Sequence, residues 1–112
     1  MSKDFSSSKL VLEVAKIKGN CPVYNIGDKS FINGPEIDLE RSDKVCIHAL
    51  FALGTFIVDL REGMNPSKIG LSKKEEGVGY FQCLDPGPPY TNGGTVLFKV
   101  YRKATEDSEL EK

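Results

Sequence analysis

The chain has 112 residues, of which 39% are apolar and 28% charged, and its 15 basic and 16 acidic side chains give a formal net charge of −1. This length is typical of one domain, and the composition is that of a folded protein rather than a disordered one. The balanced overall charge predicts no nucleic-acid partner. The longest apolar stretch, residues 45–60, is interrupted by His48 and Asp59. It is too short and too polar to span a bilayer, so no membrane partner is expected.

The cysteines indicate the compartment. Cys21, Cys46 and Cys83 cannot all pair within the chain, and they are too few for a secreted disulfide scaffold. Residues 1–8 contain no apolar run that could form the core of a signal peptide. We therefore expect a protein of the reducing cytoplasm.

The first half of the chain contains strand signals. Residues 1–8 are predicted to be a flexible leader and residues 104–112 an acidic disordered tail, which leaves residues 9–103 as a single domain. Leu10, Leu12 and Val14 alternate with other side chains, as in a half-buried strand, and the alternation predicts a bulge or strand end near Lys16. Further extended segments are predicted over residues 29–32, between two turn dipeptides, and over residues 35–39, with Ile37 and Leu39 on one face.

A helical period follows between residues 43 and 62. Ser42 or Asp43 is expected to cap this helix, and Gly63 to end it. Asn65 and Pro66 then predict the start of a short helical turn that ends near Gly70. Apolar side chains recur at intervals of three and four residues along the helical segment: Cys46, Ala49, Leu50, Leu53, Phe56, Ile57 and Leu60.

Two more strands, over residues 78–83 and 95–102, complete the predicted domain. Residues 84–94 between them hold three prolines and three glycines, so this segment is expected to be a shaped loop. The order strand–strand–helix–strand–strand without a repeated βαβ unit predicts an α+β fold. We expect a small antiparallel sheet packed on one central helix.

The thiols and the single histidine are candidate metal ligands. Cys21, Cys46, His48 and Cys83 all lie beside predicted turns or element ends, and three thiolates with one imidazole form a closed tetrahedral set for zinc. Iron is the other candidate ion. In a regular helix Cys46 and His48 would point about 200° apart. A shared site therefore requires residues 45–48 to be extended, with the helix beginning only after His48.

Other interpretations of these residues stay open. Buried cysteines often act as small apolar side chains. Alternatively, Cys46 at a helix N-terminus is the centre of a thiol-dependent redox protein or enzyme, with His48 as its base. A third interpretation is a purely structural module that binds an unknown protein partner or self-associates through an apolar patch or sheet edge. No serine–histidine–acid set, phosphate-binding loop or dinucleotide motif is present, which favours a protein that is not an enzyme.

The loop of residues 84–94 has two interpretations of its own. Asp85, Tyr90, Thr91 and Asn92 are candidates for lining a small polar ligand pocket, with adjacent glycines admitting a ligand to the backbone. The same residues could instead form a rigid lid in which Tyr90 covers the core.

Four segments of the chain resemble the TIGR04076 family: GNCPVYNIGDK (19–29), CIHAL (46–50), LREGM (60–64) and QCLDPGPPYTNGGTVLFKV (82–100). The resemblance covers residues 9–102. It implies short repeat domains, sometimes in tandem, mainly from anaerobic bacteria and archaea, and it implies no particular activity. An anaerobic source would suit thiolate ligands or oxygen-sensitive cysteines. One departure is the lack of a proline near Gly54 and Thr55, where such proteins often carry one that would kink the helix.

Overall fold

The computed structural model describes residues 9–73 and 77–103, and the predicted leader and acidic tail lie outside them. The described residues form an antiparallel sheet in the order β3-β2-β1-β5-β4. None of their helices is long and apolar enough to cross a membrane. In chain order the elements are β1 (Lys9–Gly19), β2 (Lys29–Asn33), β3 (Glu36–Ile37), α1 (Ile47–Leu53), α2 (Ile57–Arg61), a 3₁₀ turn (Pro66–Ile69), β4 (Val78–Gln82) and β5 (Gly94–Lys103).

The central strand, β1, contains the predicted bulge. Val14 pairs with Phe98 on β5, but the next pair is Lys16 with Leu97, so Ala15 is the extra residue. A bulge shifts the alternation of side chains by one position. Ile17 therefore returns to the side of the sheet that Val14 faces, where it packs against the core.

The core lies between one face of the sheet and the helices. Its centre is Phe98 on β5, which is fully buried. The Phe98 ring stacks on Phe81 with a centroid distance of 4.9 Å, and Tyr24 meets it edge-on at 5.2 Å. The helices contribute Ala49, Leu53 and Leu60 to this cluster.

The prediction of a single helix over residues 43–62 is wrong, because the segment forms α1 and α2. The break includes Gly54 and Thr55, which are weak helix formers, and the backbone N–H of Phe56 bonds back to the Leu53 carbonyl at 2.8 Å. The change of axis leaves Leu53 and Leu60 both buried. The chain thus turns here without the proline that the family resemblance associates with a kink.

The expected N-cap is also wrong, whereas the helical segment does end before Gly63, whose φ of +106° gives the predicted left-handed stop. The N-cap residue of α1 is Cys46, whose backbone is extended. Ser42 Oγ instead accepts the backbone N–H of Phe31 at 2.8 Å, and Asp43 Oδ2 accepts that of Lys29 at 2.9 Å. These side chains connect the segment before α1 to β2. Their oxygen atoms therefore accept N–H groups that are distant in sequence, instead of those in the first turn of a helix.

The extended segment predicted over residues 35–39 shortens to the two residues of β3. Ile37 packs against the core, whereas Leu39 is 74% exposed, so the two do not share a buried face. The chain turns at Asp38, whose carboxylate and carbonyl accept the backbone N–H groups of Arg41 and Ser42. The α+β class and the small antiparallel sheet are confirmed, but with a third strand before the helices.

We expect the Phe98→Ala variant to lose about 3–5 kcal/mol of unfolding free energy, because Phe98 fills the centre of the core. Chemical denaturation followed by circular dichroism measures this loss. If Phe98→Ala does not fold, Phe98→Leu should still unfold at a lower denaturant concentration than the native chain. Tyr90→Ala is the control, since Tyr90 is 81% exposed, and it should change stability by less than about 0.5 kcal/mol. Equal losses in the Phe98 and Tyr90 variants would contradict this description of the core.

A candidate cavity of cysteine and histidine side chains

One end of the sheet brings together segments that are distant in sequence. The end of β1 pairs with the start of β5, Gly19 opposite Gly94, and the end of β4 lies beside them. Cys21 follows β1, Cys83 follows β4, and α1 begins nearby. A cavity of about 170 Å³ opens here, and its lining includes all three cysteines, His48, Tyr24 and Asp85.

Cys21 occupies a tight turn that points backbone donors at its sulfur. The N–H groups of Val23 and Tyr24 donate to Cys21 Sγ at 3.4 and 3.3 Å. Two donors directed at one sulfur atom fix the orientation of the Cys21 side chain. The local sequence Cys-Pro-Val-Tyr therefore forms a small nest around one sulfur atom.

Cys83 is held between β4 and β5. Its sulfur accepts the backbone N–H of Val96 at 3.3 Å, and its thiol lies 3.7 Å from the Gly94 carbonyl, to which it donates. The residue is 7% exposed and belongs to the hydrophobic core. Cys83 is therefore the most deeply buried thiol of the cavity.

Cys46 and His48 line the cavity with a backbone conformation that differs from the expected one. The helix begins at Ile47, not after His48, so the predicted extended stretch ends at Cys46. Cys46 keeps an extended backbone with φ −105° and ψ 136°, so the 200° separation of a regular helix does not apply to this pair. Both residues line the cavity, with Cys46 half-buried and His48 exposed at its rim.

Tyr24 is a site residue that is absent from the candidates chosen from the sequence. Its hydroxyl accepts the backbone N–H of Cys46 at 2.9 Å and thereby fixes the start of α1. Burial raises the pKa of Tyr24, and the neighbouring thiols of Cys46 and Cys21 add to the rise. The signal in the sequence was its position three residues after Cys21, which puts it in the same turn.

Asp85 is the only one of the four predicted loop-pocket residues in the cavity lining. Its carboxylate accepts the Thr91 hydroxyl and the Gly87 backbone N–H, and these bonds, with the charge of His48, lower the pKa of Asp85. Thr91 thus acts through Asp85. Tyr90 and Asn92 are exposed and lie outside the lining, so the expectation that Tyr90 covers the core is wrong.

The four candidate ligands share a cavity without being in bonding positions. In residues 9–73 and 77–103, no group of three or more His, Cys, Asp or Glu side chains is placed to hold a metal ion. None of the three cysteines forms a disulfide. The folded chain therefore brings the thiols and the imidazole to one place, and a shared ion would require further inward movement of side chains.

Comparisons of the chain with protein-family models, with curated proteins and with solved structures give no match in any of the three. The resemblance to the TIGR04076 family therefore stays a prediction.

We expect the native chain to lose more stability in acid than the Asp85→Asn variant loses. Because the pKa of Asp85 is lowered in the folded state, its contribution is present above its unfolded value of 3.8 and is lost as the pH falls through the folded value. Denaturant midpoints measured from neutral pH to pH ~3 should therefore converge for the two proteins in acid. Asn92→Ala is the control, and it should keep the full acid dependence. Parallel curves for Asp85→Asn and the native chain would contradict the role of this carboxylate.

Proposed function

We propose that this domain binds a soft divalent metal ion, zinc or ferrous iron, through Cys21, Cys46, Cys83 and His48. The supporting observation is that these residues, which belong to three separate segments of the chain, line one cavity. Three thiolates and one imidazole complete a tetrahedral zinc site, and soft sulfur donors favour zinc or iron over calcium or magnesium.

Two of the ligands are already restrained. Cys21 Sγ accepts two backbone N–H groups and Cys83 Sγ accepts one, so backbone donors hold both sulfur atoms in place. Cys46 is half-buried and His48 exposed, so they have the room to rotate. Binding in this proposal draws Cys46 and His48 inward toward Cys21 and Cys83, until each sulfur lies about 2.3 Å from the ion.

Asp85 and Tyr24 support this arrangement from outside the ligand set. Ligating histidines usually donate their second ring N–H to a carboxylate or carbonyl, which fixes the ring orientation. The Asp85 carboxylate is close enough to His48 for the imidazole charge to affect its pKa. Tyr24 holds the backbone of Cys46 through its hydroxyl. In this proposal Asp85 orients the imidazole and Tyr24 positions the Cys46 thiol.

A thiol-dependent role at Cys46 is the competing function, favoured by the half-buried position of this thiol in the wall of the cavity. It predicts that Cys46 alkylates much faster than Cys21 and Cys83 in metal-free protein near neutral pH. Metal binding predicts that all three thiols are protected together when the ion is added. Alkylation followed by mass spectrometry separates the two functions.

The direct test is metal titration of protein purified and kept under anaerobic conditions. We expect one equivalent of Zn²⁺ to bind, to protect all three thiols and to raise the denaturant midpoint, because a ligand that binds only the folded state stabilises it. Removal of the ion with a chelator should reverse both effects. A chain that takes up no zinc or ferrous iron, with three freely titrating thiols, would rule the proposal out.

The zinc affinities of variants should distinguish the ligands from the supporting residues. Cys46→Ser and His48→Gln should weaken zinc affinity by more than about 100-fold, whereas Asp85→Asn should weaken it about 10–100-fold as an outer-sphere change. Asn92→Ala, outside the cavity, should bind as tightly as the native chain. Competition with a chromophoric chelator measures the affinities. An unchanged affinity in both Cys46→Ser and His48→Gln would contradict the ligand assignment.

A further inference from the structure

The sheet has a second face, opposite the helices, with a different chemistry. Directly paired residues of an antiparallel sheet place their side chains on the same face. Phe98, Val96 and Val100 face the helices, so their neighbours along β5 point the other way. We define the open face by register, as the side chains of Lys9, Val11, Glu13, Lys16, Lys18, Lys29, Phe31, Asn33, Glu36, Val78, Tyr80, Gln82, Thr95, Leu97, Lys99, Tyr101 and Lys103.

The fold concentrates positive charge on this open face. Among the described residues it carries six lysines and two carboxylates, Glu13 and Glu36, although the whole chain has a net charge of −1. Glu13 lies between Lys29 and Lys99 in register and also accepts the Tyr101 hydroxyl at 3.1 Å. Its charge is therefore largely engaged within the face. The expectation that the chain has no nucleic-acid partner was drawn from its net charge. That sum does not show that the sheet places many of the positive charges on one face.

Aromatic rings lie among these lysines. Phe31 on β2 and Tyr101 on β5 flank Val11 in one cross-strand row, and Tyr80 on β4 pairs with Lys99 in the next row. All three rings are half-buried, so each retains surface at the face. A sheet face with rings between cations is the arrangement on which proteins stack the bases of single strands.

A groove at one end of the open face adds further polar donors. Lys16, Lys18, Gln82 and Thr95 line it together with Pro86 and Leu97, and its volume is about 270 Å³. Both lysines are exposed. The Thr95 hydroxyl already donates to the Asp85 carbonyl at 2.7 Å, but the two amines and the Gln82 amide suit a phosphate group, because phosphate oxygens accept several hydrogen bonds at once.

We propose that the open face binds single-stranded nucleic acid, with phosphates held by the lysines and bases stacked on Phe31, Tyr80 and Tyr101. The charge of the face complements a polyanion, and the rings between the charges distinguish a nucleic acid from an acidic protein or a lipid surface. The surface is separate from the cysteine cavity on the other side of the sheet. The two proposals therefore stand or fall independently.

The test is fluorescence anisotropy of a short labelled single-stranded RNA of mixed sequence, titrated with the full chain at several salt concentrations. The native chain should bind at low salt and weaken as salt rises, because binding releases counterions. The double variant Lys16→Ala/Lys18→Ala should reduce the slope of log affinity against log salt by about 1 for each phosphate that is no longer neutralised. Lys44→Ala/Lys68→Ala, which removes the same charge away from the open face, should keep the native slope.

The rings supply the second readout. Phe31→Leu and Tyr80→Leu keep apolar bulk but remove the stacking surface, and each should weaken binding roughly tenfold without changing the salt slope. Double-stranded RNA and heparin should bind more weakly than the single strand and ignore the ring variants. No binding at low salt, or equal binding of heparin and RNA with no effect of the rings, would overturn the proposal. Cys46→Ser should bind RNA normally, which separates this result from the fate of the metal site.

Discussion

The pairing of β1 with β5 determines the chemistry on both sides of the sheet. Its register, shifted once at Ala15, decides which side chains of both strands enter the core and which lie on the open face. The same ladder brings the backbone at Gly94 so close to Lys18 and Asn20 that a Cβ atom there would approach backbone atoms within 2.9 Å. Only glycine fits this approach. It draws the chain after β1 against the loop before β5, and the cavity forms where they meet.

The two sides of this ladder carry different groups. On the helix side, Phe98 links Tyr24 and Phe81 within the core, because Tyr24 meets its ring edge-on and Phe81 stacks on it. The Tyr24 hydroxyl in turn accepts the backbone N–H of Cys46, so a hydrogen bond connects the aromatic core to the start of α1. On the other side, the register collects lysines and rings into one surface. A small domain thus presents soft donor atoms at one end and cations across one face, with a single sheet positioning both.

Much of the sheet could be predicted from the sequence, because a two-residue alternation is a local signal that the pleat preserves. The helix break at Gly54 and Thr55 could not, since apolar residues such as Phe51 and Val58 continue on both sides and conceal the change of axis. The sequence correctly indicated that Ser42 and Asp43 accept backbone N–H groups. It could not indicate their partners, Phe31 and Lys29, which are set by tertiary structure. The candidate ligands could be chosen by residue type, but their shared cavity depends on strand register. The net charge of the chain gave no indication of the positive charge on the open face.

The proposed coordination requires three sulfur atoms and one imidazole to close around a single ion. Electronic absorption of the anaerobic protein after addition of one equivalent of Co²⁺ tests this most directly, because thiolate-to-cobalt charge-transfer bands scale with the number of sulfur ligands and the visible bands report the geometry. Coordination by all four side chains predicts a tetrahedral spectrum with charge-transfer intensity for three thiolates, which falls by about a third in Cys46→Ser. A spectrum of hydrated octahedral cobalt, without charge-transfer bands, would contradict it.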